Sequence, residues 1–225
     1  MARVNLQRRA AIGKAKRART RAAILEAARA CYAAPPTASV TVEAVMQAAG
    51  LAKGTFYLHF QDLAALEAEL GDALIAELGE RLEPARLAVH DPLTRMATAG
   101  TILLRDLAAA PAQARLVARA AFAIPDFGQA VQARLRQDLA DAQSAGLLAM
   151  SSIHLAASSV VALFEQTARD FGAGRIDATA VPDVVRAILR ALGCAPDDAA
   201  ERADEAARNA DRFTKEIAAD GGPAS

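Results

Sequence analysis

The chain has 225 residues, 53% of them apolar and 4% aromatic, with a formal net charge of zero. That is ample apolar material for one sizeable domain, or for a small domain joined to a larger one, and it excludes a disordered tail protein. No apolar run approaches the roughly 20 residues that span a bilayer, and no apolar stretch follows the basic N-terminus, so neither a membrane helix nor a secretory signal is expected and the cytosol is the expected compartment.

The neutral total hides an uneven distribution. Residues 1–60 hold ten Lys and Arg against only Glu26 and Glu43, a net +8, while the remainder carries sixteen basic and twenty-four acidic residues, a net −8. One basic end on an otherwise acidic chain suits a polyanionic partner such as duplex DNA, because phosphate contacts supply most of the non-specific affinity.

Residues 1–20 are rich in arginine and lysine with little apolar periodicity, and are read as a flexible basic arm, either a solvated tail or one that enters a groove. From about 18 to 33, Ile24, Leu25, Ala28 and Tyr32 mark an amphipathic helix, and Pro35-Pro36 forbids its continuation. Arg17, Arg19 and Arg21, close to that helix, are the candidates for phosphate contact. Thr41 stands as an N-cap before Val42, Val45, Met46 and Ala49, whose spacing of three and four defines a second short helix. Gly50 can take the left-handed conformation that ends it, so a third helix can start at a steep angle. Phe56 and Phe60 share one face of that third helix, which leaves Lys53, Thr55, Tyr57 and His59 on the others.

The run AGLAKGTFYLHF resembles the N-terminal helix-turn-helix of the TetR/AcrR family of transcriptional regulators, which typically has alanine, glycine, an aliphatic, a small cap and a Gly-Thr-aromatic-Tyr-x-His-Phe segment. The resemblance covers about residues 17 to 66. It implies a DNA-binding domain over 18–62 and a helical regulatory and dimerisation domain over 63–195; the composition itself gives the basic arm over 1–20 and, from alternating charges with few apolar residues beyond Phe213 and Ile217, an extra helix with a disordered tail over 196–225, in a chain that reads as all-α. The resemblance further implies a sequence-specific DNA-binding regulator, a ligand-responsive repressor that binds a palindromic operator as a homodimer. Lys53 and Thr55 are then expected at bases or neighbouring phosphates, Tyr57 and His59 at the sugar-phosphate backbone, Thr41 at a phosphate, and Gly54 at a close backbone approach. Two departures stand out. Ala52 occupies the usual Ser/Thr cap position, and Leu63 replaces a lysine that often clamps a phosphate. These give room to an alternative, a helical ligand- or protein-binding module that has lost DNA recognition.

Downstream, Leu63, Leu66, Leu70, Leu74 and Leu78 predict a long helix over about 62–82, and prolines divide the rest into helices near 93–109, 112–122, 126–146, 151–172 and 181–193. No alternating strand pattern occurs. The apolar stripes Ile153, Ala157, Val160, Phe164 and Phe171, then Val181, Val185, Ile188 and Leu192, are candidates for a dimer interface, although an intramolecular core requires the same pattern. The family also implies a small-molecule effector pocket among the middle helices, for which Met96, Leu103, Leu104, Phe122, Phe127, Met150, His154 and Phe164 are candidates.

Catalysis is not expected. His59, His90 and His154 lie in unrelated contexts, no phosphate loop or nucleophile motif accompanies them, and Cys31 and Cys194 match no metal-ligand spacing. No cofactor and no metal are therefore called for.

Overall fold

The computed structural model describes residues 2–33, 40–124 and 127–220, and these are helical throughout, with no strand among them. The expected Pro35-Pro36 link, the break at Pro125 and the stop at 221–223 lie outside the described residues. The chain divides into two units, the first ending at Leu70 and the second starting at Gly71.

In the first unit, α1 (Ala2–Ala33) is followed by α2 (Val42–Ala48), α3 (Lys53–Phe56) and the start of α4 (Leu63–Leu87). Residues 2–20, expected as a flexible arm, are continuous with α1; they are mostly alanine, arginine, lysine and glutamine, strong helix formers, with no proline to stop them. Ile24, Ala28, Val45, Met46, Phe56 and Leu66 are buried to within 1% and form the small core, so the apolar stripes read from the sequence meet one another. The N-cap of α2 is as anticipated, with the Thr41 hydroxyl accepting from the Ala44 amide at 3.1 Å. The stop is as well: Gly50 has φ 65°, and the Leu51 and Gly50 amides donate to the carbonyls of Met46 and Gln47, a Schellman closure.

The second unit is built around α5 (Pro92–Ala109), with α6 (Pro111–Ala123), α7 (Gln129–Ser144), α8 (Ile153–Gly172), α9 (Val181–Ala191) and α10 (Pro196–Asp220) packed about it and the remainder of α4 beside them. The long helix outruns its expected end, because Pro84 lies inside it. The proline removes one bond, to the Glu80 carbonyl, near the C-terminus, while Leu82 and Ala85 remain buried and Arg86 is held by Glu83 and Asp138, so the last turn persists. No helix among the described residues is long and apolar enough to cross a membrane.

The stripe expected to pair two copies is turned inward instead. Ala157, Phe171, Val181, Val185, Ile188 and Leu192 are buried in this unit's own core, and Ile153, Val160 and Phe164 pack against it. An amphipathic helix buries its apolar face on the first partner available, and α5 and α6 provide one. The C-terminal segment forms the helix α10, and its apolar contacts are small. Ala199, Ala203, Ala206 and Ala210, at helical spacing, are each no more than 2% exposed, so α10 lies along α5 on a seam of methyl groups. Ion pairs flank the seam, Arg105 with Asp211 at 2.6 Å and Arg202 with Asp91 at the α5 N-cap.

Candidate nucleic-acid interface and helical-domain cavity

Helix α3 is only four residues long, and it is fixed from below. Phe56 is fully buried and Phe60 nearly so, with ring centroids 5.5 Å apart, and the edge of the Tyr57 ring meets Phe56 at 5.3 Å. With the two phenylalanines inside, Lys53, Gly54 and Tyr57 are exposed and Thr55 and His59 are half-buried. Leu58, absent from the sequence reading, is 66% exposed on the same surface. A Cβ on Gly54 would meet no protein atom within 4 Å, so any need for a glycine there arises from outside the chain.

The cations around this surface are not equivalent. Arg17 donates through Nη2 to the Leu58 carbonyl at 2.8 Å and so ties α1 to the recognition turn. Arg21 pairs with Glu69 and stacks 4.3 Å from the Phe60 centroid, which makes it a brace within the domain. Arg19 is exposed. Lys14, Arg17, Ala18, Arg21 and His59 together line a shallow groove, a basic concavity in which Lys14 had not been singled out. Burial and the nearby charges of Arg17 and Arg21 hold the His59 imidazole below its ordinary pKa. Lys53 pairs with Glu43 of α2, a partner ten residues upstream that helical spacing does not reveal. The hydrogen bond to Glu43 raises the Lys53 pKa and lowers that of Glu43.

Both departures in the sequence have structural counterparts. Ala52 sits at the N-cap of α3 with extended backbone, φ −70° and ψ 142°, and supplies no side-chain cap, whereas Thr41 and Asp62 cap α2 and the start of α4. Ala52→Ser is therefore expected to stabilise the protein by about 1 kcal/mol, seen as a rise of a few degrees in the thermal midpoint; no change would mean that the first turn is already satisfied. Leu63 is half-buried at the start of α4 and brings no charge.

A second feature lies wholly within the second unit. A cavity of about 120 Å³ is bounded by α4 (Ile75, Gly79, Leu82), α5 (Met96, Gly100, Leu103), α7 (Val131, Arg134, Leu135) and α8 (Val160, Phe164), with Phe127 closing one side. Of the candidates from sequence, Met96, Leu103, Phe127 and Phe164 line it. Leu104 is fully buried in the core away from it, Phe122 is 90% exposed, Met150 packs on the core elsewhere, and His154 is exposed beside a separate shallow groove. The contribution of α4 and α7 is set by the helices across the cavity, which the spacing within either helix does not show. The polar members Glu83, Arg86, Arg134 and Asp138 sit at the cavity wall, with Asp138 only 2% exposed. Burial pushes the Asp138 carboxyl up, against the opposing pull of hydrogen bonds and charge from Arg95 and Arg86.

Residues 24–70 match the model of bacterial regulatory proteins of the tetR family. No curated protein matches the chain. Among solved structures, RolR in complex with resorcinol is similar with a TM-score of 0.67 and 20% identity, over 84% of this chain and 95% of that one. FadR from Bacillus subtilis, in complex with stearoyl-CoA, has a TM-score of 0.56 and 16% identity over 74% and 96% of the two chains. A TetR transcriptional regulator from Rhodococcus sp. RHA1 has a TM-score of 0.56 and 22% identity over 77% and 94%.

Proposed function

We propose that the chain, whose residues 24–70 match the tetR-family model, is a DNA-binding transcriptional regulator of that family and acts as a ligand-responsive repressor, binding a palindromic operator as a homodimer. The observation that carries the DNA reading is the short α3, pinned by Phe56 and Phe60 so that Lys53, Thr55 and Tyr57 face outward beside a groove of Lys14, Arg17 and His59. Lys53 and Thr55 are assigned to base edges or adjacent phosphates, Tyr57, His59, Arg17 and Arg19 to the backbone, and Thr41, whose hydroxyl caps α2, to a phosphate near that helix start. Arg21 contributes through the brace it makes with Glu69 and Phe60. One recognition helix covers few base pairs, so two copies are required to read an operator.

With the stripes of α8 and α9 used in the core, the pairing surface is assigned to their outward faces, which include Leu155, Ala162, Gln166 and Ala187. The cavity is assigned to the effector. Its volume is close to the roughly 150 Å³ that accommodates a benzene-sized guest in an apolar protein interior, and RolR, of the same fold, holds the single-ring compound resorcinol. Stearoyl-CoA, held by FadR, is far larger than this space. Helix α4 supplies Leu66 to the core of the first unit and Ile75, Gly79 and Leu82 to the cavity of the second, and is the element through which an effector would bias operator affinity.

The test is a fluorescence-anisotropy titration of the full chain against DNA selected from genomic fragments, repeated across salt concentrations. A logarithm of the affinity that falls linearly with log salt supports phosphate-dominated binding, and a salt-independent affinity rejects it. The pH adds a second handle. Because the folded protein holds His59 below its ordinary pKa, the imidazole is neutral at pH 7, and a nearby phosphate would favour its protonation. Operator affinity is expected to rise a few-fold between pH 7.5 and 6 in the wild type and to respond less in His59→Gln; identical pH profiles would remove His59 from the phosphate contacts. In the free protein the sign is opposite: a depressed folded pKa means that stability falls as pH drops through it.

A further inference from the structure

Arg134 of α7 is engaged on one side by α4: its Nη2 donates to Glu80 at 2.6 Å and its Nε lies 2.9 Å from Glu83. Its Nη1 is buried and has no hydrogen-bond partner, the one such side-chain atom among the described residues. A buried guanidinium donor left unpaired is costly and calls for a partner. Arg134 lines the cavity, and so does Gly79, where a Cβ would stand 2.5 Å from Val131 Cγ2 and 3.2 Å from Nη1. A side chain at position 79 would therefore overlap Val131 beside the unpaired donor.

The charge at this wall is already matched. Glu80 and Glu83 flank Arg134, Asp138 accepts from Arg86 and, at 2.6 Å, from Arg95 Nε, and Asp141 accepts from Arg95. At the cavity lining itself two carboxylates, Glu83 and Asp138, stand against two guanidinium groups, Arg86 and Arg134, so an anionic ligand would meet no net positive charge and would leave water to do so. A neutral oxygen can take the Nη1 proton without adding charge.

We propose that the cavity binds a neutral, ring-sized molecule with an apolar body and one carbonyl or hydroxyl oxygen that accepts a hydrogen bond from Arg134 Nη1, so that Arg134 selects oxygenated rings over hydrocarbons. This rests on the assignment of the cavity to an effector and adds the chemistry of its ligand.

Three probes separate the possibilities in calorimetric titrations of the full chain: cyclohexanone, which only accepts, toluene, which does neither, and benzoate, an anion. Gly100→Leu fills the cavity from α5, where a Cβ meets no atom within 4 Å. Both neutral probes are expected to bind the wild type and to be excluded by Gly100→Leu, with benzoate the weakest. Arg134→Met is expected to weaken cyclohexanone about tenfold and toluene less than about twofold. The infrared carbonyl band of bound cyclohexanone, expected below its frequency in hydrocarbon solvent, decides the same point in the wild type should Arg134→Met fail to fold. An unshifted band, equal effects of Arg134→Met on both neutral probes, or benzoate binding tightest overturns the role of Arg134 while leaving the cavity assignment standing. Failure of all three probes to bind, or binding untouched by Gly100→Leu, overturns both.

Discussion

Replacing Lys53 and Tyr57 together by alanine is expected to weaken operator binding about a thousandfold while the thermal midpoint moves by no more than a few degrees. Both side chains are more than half exposed, and neither belongs to the core that Phe56 and Phe60 supply, so the fold loses little. In a dimer each substitution occurs twice. Four contacts at roughly 1 kcal/mol each come to about 4 kcal/mol, or three powers of ten in affinity. The free protein pairs Lys53 with Glu43, and that weak exposed pair must open before the ammonium reaches DNA, which keeps the contribution per lysine modest. The salt slope gives an independent reading: losing one lysine per protomer should lower it by about 2. Binding by the double variant at wild-type strength would reject the orientation assigned to α3.

Gly71→Ala is expected to destabilise the second unit by about 2 to 3 kcal/mol, and its thermal midpoint by on the order of 5–10 °C. An added Cβ would lie 2.2 Å from the Leu116 carbonyl oxygen, 2.7 Å from its carbon and 2.8 Å from the Ala120 Cβ. Two of these atoms are backbone of α6 and cannot rotate away, so α4 and α6 would have to separate. Alanine improves helix propensity by up to about 1 kcal/mol, which offsets only part of the clash. Calorimetric unfolding measures the outcome, and a midpoint equal to or above wild type would mean that the two helices part freely. Gly100→Ala, at a helical glycine with open space beside it, is the matched comparison for propensity alone.

The features legible in the sequence were those decided within a few residues. Thr41 caps α2 and Gly50 stops it because cap and stop depend on local hydrogen bonds and one φ angle. Phe56 and Phe60 read correctly as anchors because a four-residue spacing leaves little choice of face. What failed was decided by the partner across the contact. The stripe of α8 and α9 has the same periodicity whether it meets a second copy or the chain's own α5, and only the fold shows that the core uses it. Phe122 is as apolar as Phe127, yet Phe122 is exposed on α6 and Phe127 lies at the cavity. Arg134 and Asp138 carry no signal in the sequence, because nothing local to α7 announces that α4 and α5 carry their counterions.

The seam beneath α10 has a consequence for the order in which the second unit comes apart. Methyl groups bury little area apiece, so a helix seated on four alanines gains far less from leaving water than one seated on leucines. Its remaining attachments include the exposed pair Arg105–Asp211 and the partly buried Arg202–Asp91, contacts that ionic strength loosens. Beneath it, α5 keeps Leu93, Leu104 and Leu107 locked among the other helices. The C-terminal helix is therefore expected to open before the rest of this domain, seen as faster amide exchange over Pro196–Asp220 than over α5.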